Sequence, residues 1–280
     1  MTHQNSAARR PGRAAAAGIG TAGLLVLTSC GGDEEPPPLE DIAENILESV
    51  EQAESVTVLS DGDWDAAFAS EPMFDDVDAE AEDQEVLVHF TEGGDRVSMH
   101  AYVLDMEWEM LFLRPEGTAY MPVSAFIDLM ELGAEAEGDD ISSFIDAEGF
   151  REEAGDRWLI IEDMTASDME EIEVSSLLDQ YGFDDASSVT DQYASEGELQ
   201  ERDGTSVWVY PGEEEAEQLV VLADAEEPYL VELSHYDDDD NEVTDHYSNW
   251  NEAPEAEEPA EDELMTEQEL EELLMSHIVF

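Results

Sequence analysis

The stretch RVSMHAYVLDMEWEMLFL, residues Arg96 to Leu113, decides the fold class. Apolar side chains occupy every second position of its first half: Val97, Met99, Ala101 and Val103. This period of two is typical of a strand with one buried face. The second half ends in a run that is apolar on both faces, so we expect it to be covered on both sides. The stretch therefore predicts two consecutive strands.

Similar short strands are predicted before and after this stretch. We place ten of them at 55–59, 85–90, 96–104, 107–113, 118–121, 157–161, 206–210, 218–222, 229–234 and 242–249. Turn sequences such as Asp203-Gly204 separate them at short intervals, which favours an antiparallel meander. The chain lacks the regular alternation of strands and helices that a parallel sheet requires.

Three segments have helical patterns that could cover such a sheet. Residues 39–53 place apolar side chains near a helical spacing, residues 123–132 end at Gly133, and residues 168–181 begin with an Asp168 cap. The acidic segment 61–83 contains four large apolar residues and is either a flap or a plain long loop. The predicted class is α+β.

The end of the chain has a different composition from residue 253 onward. Residues 253–263 form an acidic linker rich in Ala and Pro, and residues 264–280 form an amphipathic helix with a capping box at Thr266 and Glu269. This helix could dock on the domain, bind a protein partner or remain free.

The N-terminal residues resemble a bacterial lipoprotein signal. Three arginines precede 14 apolar residues, 14–27, a run too short to span a bilayer, which takes roughly 20 residues. Leu27, Thr28, Ser29 and Cys30 then form a lipobox, in which Cys30, the only cysteine, would be acylated after removal of residues 1–29. Residues 30–38 would be a solvated spacer between a membrane and the domain. The alternative is an ordinary signal peptide with a chance cysteine.

The charge of the chain is extreme. Residues 30–280 contain no lysine, five arginines and all 76 acidic residues, a formal charge of −71. Binding to nucleic acid or to an anionic membrane surface by charge is excluded, because both need a positive protein face. We interpret the charge as an adaptation to a saline or alkaline exterior, because salt screens such self-repulsion.

The sequence contains none of the common catalytic motifs, and we predict neither enzymatic activity nor a cofactor. A two-residue turn at Asp240-Asn241 would place His235 opposite His246, which are low-ranking candidates for a metal site. A solvated acidic turn is the simpler interpretation, and loose calcium binding at 237–245 is a further one.

Several short sequence motifs occur along the chain in an order that resembles a known family. The lipobox is followed by AESVTV, GTAYM, DRWLII, DGTSVWVY, EPYLVELSHY and HYSNWNEA. This order is similar to that of actinobacterial cell-envelope lipoproteins of the LppX/LprG type, over residues 39–252. The resemblance implies a LolA-like fold, a strongly curved antiparallel sheet (a half-barrel) with helices across its open side.

The resemblance also implies a function. A hydrophobic cavity between sheet and helices would bind or transfer envelope lipids or lipoglycans at the extracytoplasmic face of the cell membrane. The candidates for its lining are Met99, Val103, Met110, Phe112, Met121 and Trp158. The alternative is an anchored sensor or interaction module with the same fold, a filled core and no lipid cargo.

Overall fold

The structure is a computed structural model. It describes residues 35–61, 85–103, 106–136, 141–161, 174, 177–178, 181–212, 216–236 and 242–279. Among these residues, no helix combines the length and the hydropathy needed to cross a bilayer.

Helices and strands alternate irregularly along the described chain. Its α-helices are α1 (Leu39–Glu51), α2 (Val123–Ala136), α3 (Ala147–Ala154), α4 (Ala186–Gln192) and α5 (Glu267–Ser276). Its strands are β1 (Val56–Asp61), β2 (Glu85–Thr91), β3 (Arg96–Val103), β4 (Met106–Leu113), β5 (Thr118–Pro122), β6 (Trp158–Ile161), β7 (Glu198–Arg202), β8 (Thr205–Pro211), β9 (Gln218–Leu222), β10 (Leu230–Tyr236), β11 (Glu242–Ser248) and β12 (Leu264–Met265).

All twelve strands belong to one sheet, in the order β12-β6-β5-β4-β3-β2-β1-β11-β10-β9-β8-β7. Two antiparallel meanders, β1 to β6 and β7 to β11, join where β1 pairs with β11. The two-residue strand β12 is parallel to β6 and covers the edge of the first meander. The predicted α+β class with a largely antiparallel, curved open sheet is confirmed.

The two faces of the sheet differ in what covers them. We call the face that carries Val58, Val88 and Met110 the inner face, because the helices pack on it. The opposite, outer face carries Leu111, Leu113 and Tyr120, which pack with Ala256 and Leu264 from the C-terminal segment. Apolar residues on both faces of β4 are therefore covered on both sides, as the sequence of this strand predicted.

Helix α1 is the most deeply packed helix. Leu39, Ile42, Ile46 and Val50 recur at helical spacing and are all at most 2% exposed. The backbone N–H of Leu39 donates to the carbonyl of Ser195 at 3.0 Å, which fixes the start of the helix near α4. The predicted amphipathic pattern therefore identified both the helix and its buried side.

Helix α2 differs from the sequence prediction at its C-terminal end. Gly133 does not end the helix, which continues to Ala136. A glycine in a helix costs only about 1 kcal/mol relative to alanine, and the buried Val123 and Ile127 outweigh that cost. The predicted end at Gly133 is wrong because tertiary packing overrides the local preference.

Several elements have little signal in the sequence. Strand β7 is charged and largely exposed, and α4 is a short polar helix that begins with a capping box at Asp185. Strand β7 is held by pairing with the adjacent β8, and α4 by packing against the distant helix α1, rather than by an apolar pattern of their own. Most of the predicted helix 168–181 and nearly all of the segment 61–83 lie outside the described residues.

Candidate ligand-binding face

Two large apolar clusters flank the inner face of the sheet. The first, the α1 cluster, joins α1 to strands that include β1, β8, β9 and β10. The second, the α5 cluster, lies under α2, α3 and α5 and includes Met121 and Leu159 of the sheet. The α1 cluster extends along this face as far as Phe112 of β4 and Ala119 of β5, next to the strands of the α5 cluster.

A third, smaller cluster lies on the same face of β2, β3 and β4, toward the ends of these strands opposite Phe90, Val97 and Phe112 of the α1 cluster. Val86 and Ala101 are 6% and 4% exposed, and Val88, Met99 and Trp108 pack against them. Strand register explains the grouping, because Val88 pairs with Met99 and Ala101 pairs with Trp108. We call this the central cluster, and its described members all come from strands.

Shared side chains connect the three clusters. Val88 packs against both the α1 cluster and the central cluster, while Met110 and Ile161 pack against both the α1 cluster and the α5 cluster. The apolar surface of the inner face is therefore continuous among the described residues. Methionine suits such a position because its unbranched side chain adapts to neighbours of different shape.

Most of the predicted lining residues lie on this inner face. Met99 and Met110 are partly buried, and Phe112 and Met121 are buried. Trp158 lies on the other side of the sheet, where it packs with Leu111 and Tyr120. The side chain of Val103 lies outside the described residues, as do Leu27, Thr28, Ser29 and Cys30.

A buried polar network interrupts the apolar inner face near β11. The hydroxyls of Ser60 and Tyr181 donate to the two carboxylate oxygens of Asp245. The hydroxyls of Tyr181 and Tyr247 are 2.9 Å apart, and because Tyr181 uses its proton on Asp245, Tyr247 is the donor of this bond. Asp245 is only 7% exposed and receives two hydroxyl hydrogen bonds, which a buried carboxylate needs.

Both tyrosines of the network are held in their neutral form. Burial, followed by the neighbouring Tyr247 and Asp245, raises the pKa of Tyr181 well above 10. Burial, followed by Asp245, raises the pKa of Tyr247 in the same direction. A phenolate beside a buried carboxylate would place two like charges together. The network therefore supplies neutral hydroxyls rather than a reactive anion.

The two histidines proposed as metal ligands do not face each other. His235 pairs with Val243 and His246 pairs with Glu232, so the predicted register is wrong. Tyr236 pairs with Glu242, whereas a two-residue turn at Asp240-Asn241 would place Tyr236 opposite Asp245. Residues 237–241 lie outside the described part of the chain. His235 lies on the inner face with its ring 5.0 Å from that of Tyr181.

The remaining histidine positions do not form a metal centre. On the outer face His246 Nδ1 lies 3.5 Å from a carboxylate oxygen of Glu232, which also pairs with Arg202. Burial and then the charge of His100 lower the pKa of His89. No group of three or more potential metal-binding side chains occurs among the residues that the structure describes.

An open depression of about 650 Å³ lies near the C-terminal end of α1. Its lining includes Glu54, Glu92, Asn251 and Glu255 and is mainly polar. Such a lining is unsuited to an acyl chain, which gains nothing from contact with carboxylates. We therefore place the candidate site on the inner face rather than in this depression.

Comparison with solved structures finds similar proteins at low sequence identity. No protein-family model matches the chain, and no curated protein matches it either. Its fold is similar to the crystal structure of LprF from Mycobacterium bovis, with 14% identity, a TM-score of 0.43, and coverage of 80% of this chain and 100% of that chain. A second similar structure is the Mycobacterium tuberculosis lipoprotein LppX, with 10% identity, a TM-score of 0.42, and coverage of 78% and 98%.

A third similar structure is an uncharacterized conserved protein from Thermus thermophilus. It has 10% identity, a TM-score of 0.32, and coverage of 80% of this chain and 98% of that chain. The resemblance to LppX/LprG-type lipoproteins expected from the sequence is thus met by similarity to LppX and LprF. At these identities the similarity concerns the fold and not the ligand.

Sequence reasoning missed the polar network around Asp245. A signal for it exists, because Val243, Asp245 and Tyr247 occupy one face of a predicted strand. A carboxylate between two apolar residues on a buried face requires hydrogen-bond partners. Those partners, Ser60 and Tyr181, are 185 and 64 residues away, so their identity could not be read from the strand itself.

Proposed function

We propose that this chain is a lipid-binding lipoprotein that holds acyl chains against the inner face of its sheet. The observation that carries the proposal is the continuous apolar surface formed by the three clusters and their shared residues Val88, Met110 and Ile161. Removing an acyl chain from water is favourable by about 0.8 kcal/mol per CH₂ group. A broad, adaptable apolar face can therefore bind an acyl chain by burying its surface, without a specific polar contact.

The proposal includes attachment to the membrane through Cys30. Acyl groups on Cys30 would anchor the chain at the extracytoplasmic face of the cell membrane, and residues 31–38 would separate the domain from the bilayer. The cargo would be envelope lipids or lipoglycans, and the protein would bind or transfer them without catalysis.

Lipid binding is tested with residues 30–280 carrying Cys30→Ser, purified at high salt and extracted with organic solvent for mass spectrometry. The expected result is a co-purifying lipid near one equivalent. Met99→Trp should reduce its amount, because the larger side chain fills space in the central cluster. Met275→Trp is the matched control, because Met275 is 68% exposed and lies outside the clusters. A folded protein that holds no lipid and ignores added lipid would overturn the proposal.

Anchoring is tested separately in cells that express the full chain. The N-terminal peptide of the wild-type protein should begin at Cys30 and carry acyl groups, and the protein should fractionate with membranes. Cys30→Ser should appear in the soluble fraction, whereas Ser29→Ala should stay membrane-bound because the lipobox tolerates a small residue there. An unmodified Cys30 in the wild type would refute the anchor without affecting the lipid-binding proposal.

One observation favours the alternative of an interaction module with a filled core. Val86 and Ala101 of the central cluster are almost fully buried by neighbouring parts of the protein itself. In that alternative the Cys30→Ser protein is stable and lipid-free, and Met99→Trp lowers stability by overpacking instead of displacing a cargo.

A further inference from the structure

The C-terminal segment, residues 253–279, wraps around one edge of the sheet. We call it the strap. Its first part lies on the outer face, where Arg96 Nη1 donates to the carbonyl of Ala256 at 2.8 Å and Arg96 pairs with Glu258. Strand β12 then extends the sheet beside β6. Leu264 packs on the outer face and Met265 on the inner face, so the chain changes faces at this point.

Helix α5 of the strap fills an apolar groove on the inner face. Met265, Leu270 and Leu273 are 1%, 6% and 6% exposed and belong to the α5 cluster. The walls of the groove include Ile127 of α2, Phe150 of α3 and Leu159 of β6. Three side chains of the strap therefore supply the apolar contents of the groove.

The groove is connected to the proposed lipid-binding face. Met110 and Ile161 pack against both the α5 cluster and the α1 cluster. An apolar ligand on the inner face would therefore reach the groove without crossing a polar surface. The apolar side chains that the strap places in the groove, Met265 of β12 and Leu270 and Leu273 of α5, are flexible and apolar like an acyl chain.

The strap carries many charges that oppose its docking. From Glu255 to Glu272 it carries ten acidic residues and neither Lys nor Arg. The facing helix α3 adds Glu148, Glu152 and Glu153, so like charges oppose docking. Against this repulsion stand the burial of three apolar side chains and the pairing of β12 with β6. The polar contacts add the Arg96–Glu258 pair, the attraction of Arg157 to Glu269, and the contact of His277 Nε2 with Glu153 at 3.0 Å.

The helix itself would be only marginally stable without its groove. It has ten residues, whereas an isolated helix shorter than about 12 to 15 residues is marginal in water. Undocking would therefore also unfold α5, and local opening of such a terminal unit requires much less free energy than global unfolding.

We propose that the groove under α5 is an acyl-chain site and that the strap is its displaceable occupant. The inference rests on the proposed lipid-binding function and adds to it the place where a chain enters. In the docked state α5 excludes the ligand from the groove. In the undocked state the groove opens and the acyl chain takes the positions of Met265, Leu270 and Leu273.

The end of the strap offers a way to lock it. Ile278 pairs with Ile145 in an antiparallel bridge. The flanking hydrogen bonds run from Val279 N–H to the Phe144 carbonyl at 3.0 Å and from Asp146 N–H to the His277 carbonyl at 2.9 Å. Ile145 and Ile278 therefore form a non-hydrogen-bonded pair, whose Cα atoms lie about 4.5 Å apart, within the range of a disulfide.

The experiment uses residues 30–280 with Cys30→Ser, Ile145→Cys and Ile278→Cys, and pyrene-labelled palmitate as the probe. The oxidised form should bind the probe at least about tenfold more weakly than the reduced form, because the open population is removed. Reductant should restore binding to the level of the Cys30→Ser protein. The control is Ile278→Cys alone, whose binding should not respond to oxidant.

A second variant acts in the opposite direction. Leu270→Ser with Leu273→Ser weakens docking without altering the sheet, and it should bind the probe more tightly than the Cys30→Ser protein. Hydrogen exchange provides an independent readout, because the amides of α5 should exchange faster when palmitate is added.

The outcomes separate the two proposals. Equal binding by the oxidised and reduced forms, with unchanged exchange in α5, would overturn the strap proposal and leave lipid binding intact. Failure of every form to bind palmitate, together with the absence of a co-purified lipid, would overturn both.

Discussion

The two ends of the inner face are covered by helices of very different character. Helix α1 buries four large apolar residues to 2% exposure or less, and the chain continues from it directly into β1. Helix α5 buries only two leucines and is joined through an acidic linker. Both helices have an apolar stripe, so the stripe alone does not tell how firmly a helix is held. Burial depth and surrounding charge make the difference.

The largest expected effect is on the α1 end. Ile46→Ala removes a fully buried side chain and leaves a cavity, and it should lower the free energy of unfolding by about 3 to 4 kcal/mol. Leu273→Ala in α5 should lower it by less than half of that, because the strap detaches before the domain unfolds. Urea denaturation measures both. Equal losses would mean that the two helices are parts of a single cooperative unit.

The next effect concerns the polar network beside the α1 cluster. Asp245→Ala leaves the hydroxyls of Ser60 and Tyr181 without their acceptor and should lower the free energy of unfolding by about 2 kcal/mol. Asp245→Asn keeps an acceptor oxygen and should lose less. Measurement is by urea denaturation at neutral pH. A stabilised Asp245→Ala protein would show that the hydrogen bonds do not offset the burial of the carboxylate.

Alkaline pH tests the same network through its tyrosines. Burial raises the pKa of Tyr181 and Tyr247 above 10, so the folded protein retains protons that the unfolded chain releases. The stabilisation that each buried tyrosine gives the folded state is fully present below pH 10. It is lost as pH rises above 10, by about 1.4 kcal/mol per pH unit for each tyrosine. Tyr247→Phe should make the free energy of unfolding fall less steeply with pH, by the contribution of one tyrosine. Denaturation curves recorded between pH 9 and 11 measure this slope. An unchanged slope would contradict the burial of Tyr247.

The smallest expected effect lies on the strap. Arg96→Gln removes the pair with Glu258 and the hydrogen bond to the Ala256 carbonyl. Because the Glu258 side chain is 48% exposed, the loss should stay below about 1 kcal/mol and should shrink further at high salt. Hydrogen-exchange rates of the α5 amides at low and high salt measure this loss of stability. A large, salt-independent loss would mean that Arg96 also holds together the apolar residues of the outer face, Leu111, Leu113 and Tyr120.

Local patterns in the sequence predicted much of the sheet. The alternation in β3 and the double apolar face of β4 identified strands within one or two residues. The helical spacing of α1 and the capping box of α5 also predicted their helices, because each pattern involves residues close together in the chain.

Other features depend on contacts that no local pattern encodes. Gly133 continues α2 because packing outweighs its preference, and the β10–β11 register differs from the one that a turn at Asp240-Asn241 predicts. The sequence predicts Trp158 in the cavity lining, but this residue lies on the outer face, since a single strand does not show which of its sides meets the helices.

By itself, the sequence determined the α+β class, the antiparallel strands and the acidity, because composition and short-range periodicity specify these features. The lipobox around Cys30 stays a prediction from the sequence. Only the tertiary structure decided that the three apolar clusters join into one face, that Asp245 is buried among hydroxyls, and that the strap changes faces to fill a groove. The physical reason is that these features are pairings between residues far apart in the chain, whose partners become neighbours only when the whole sheet has formed.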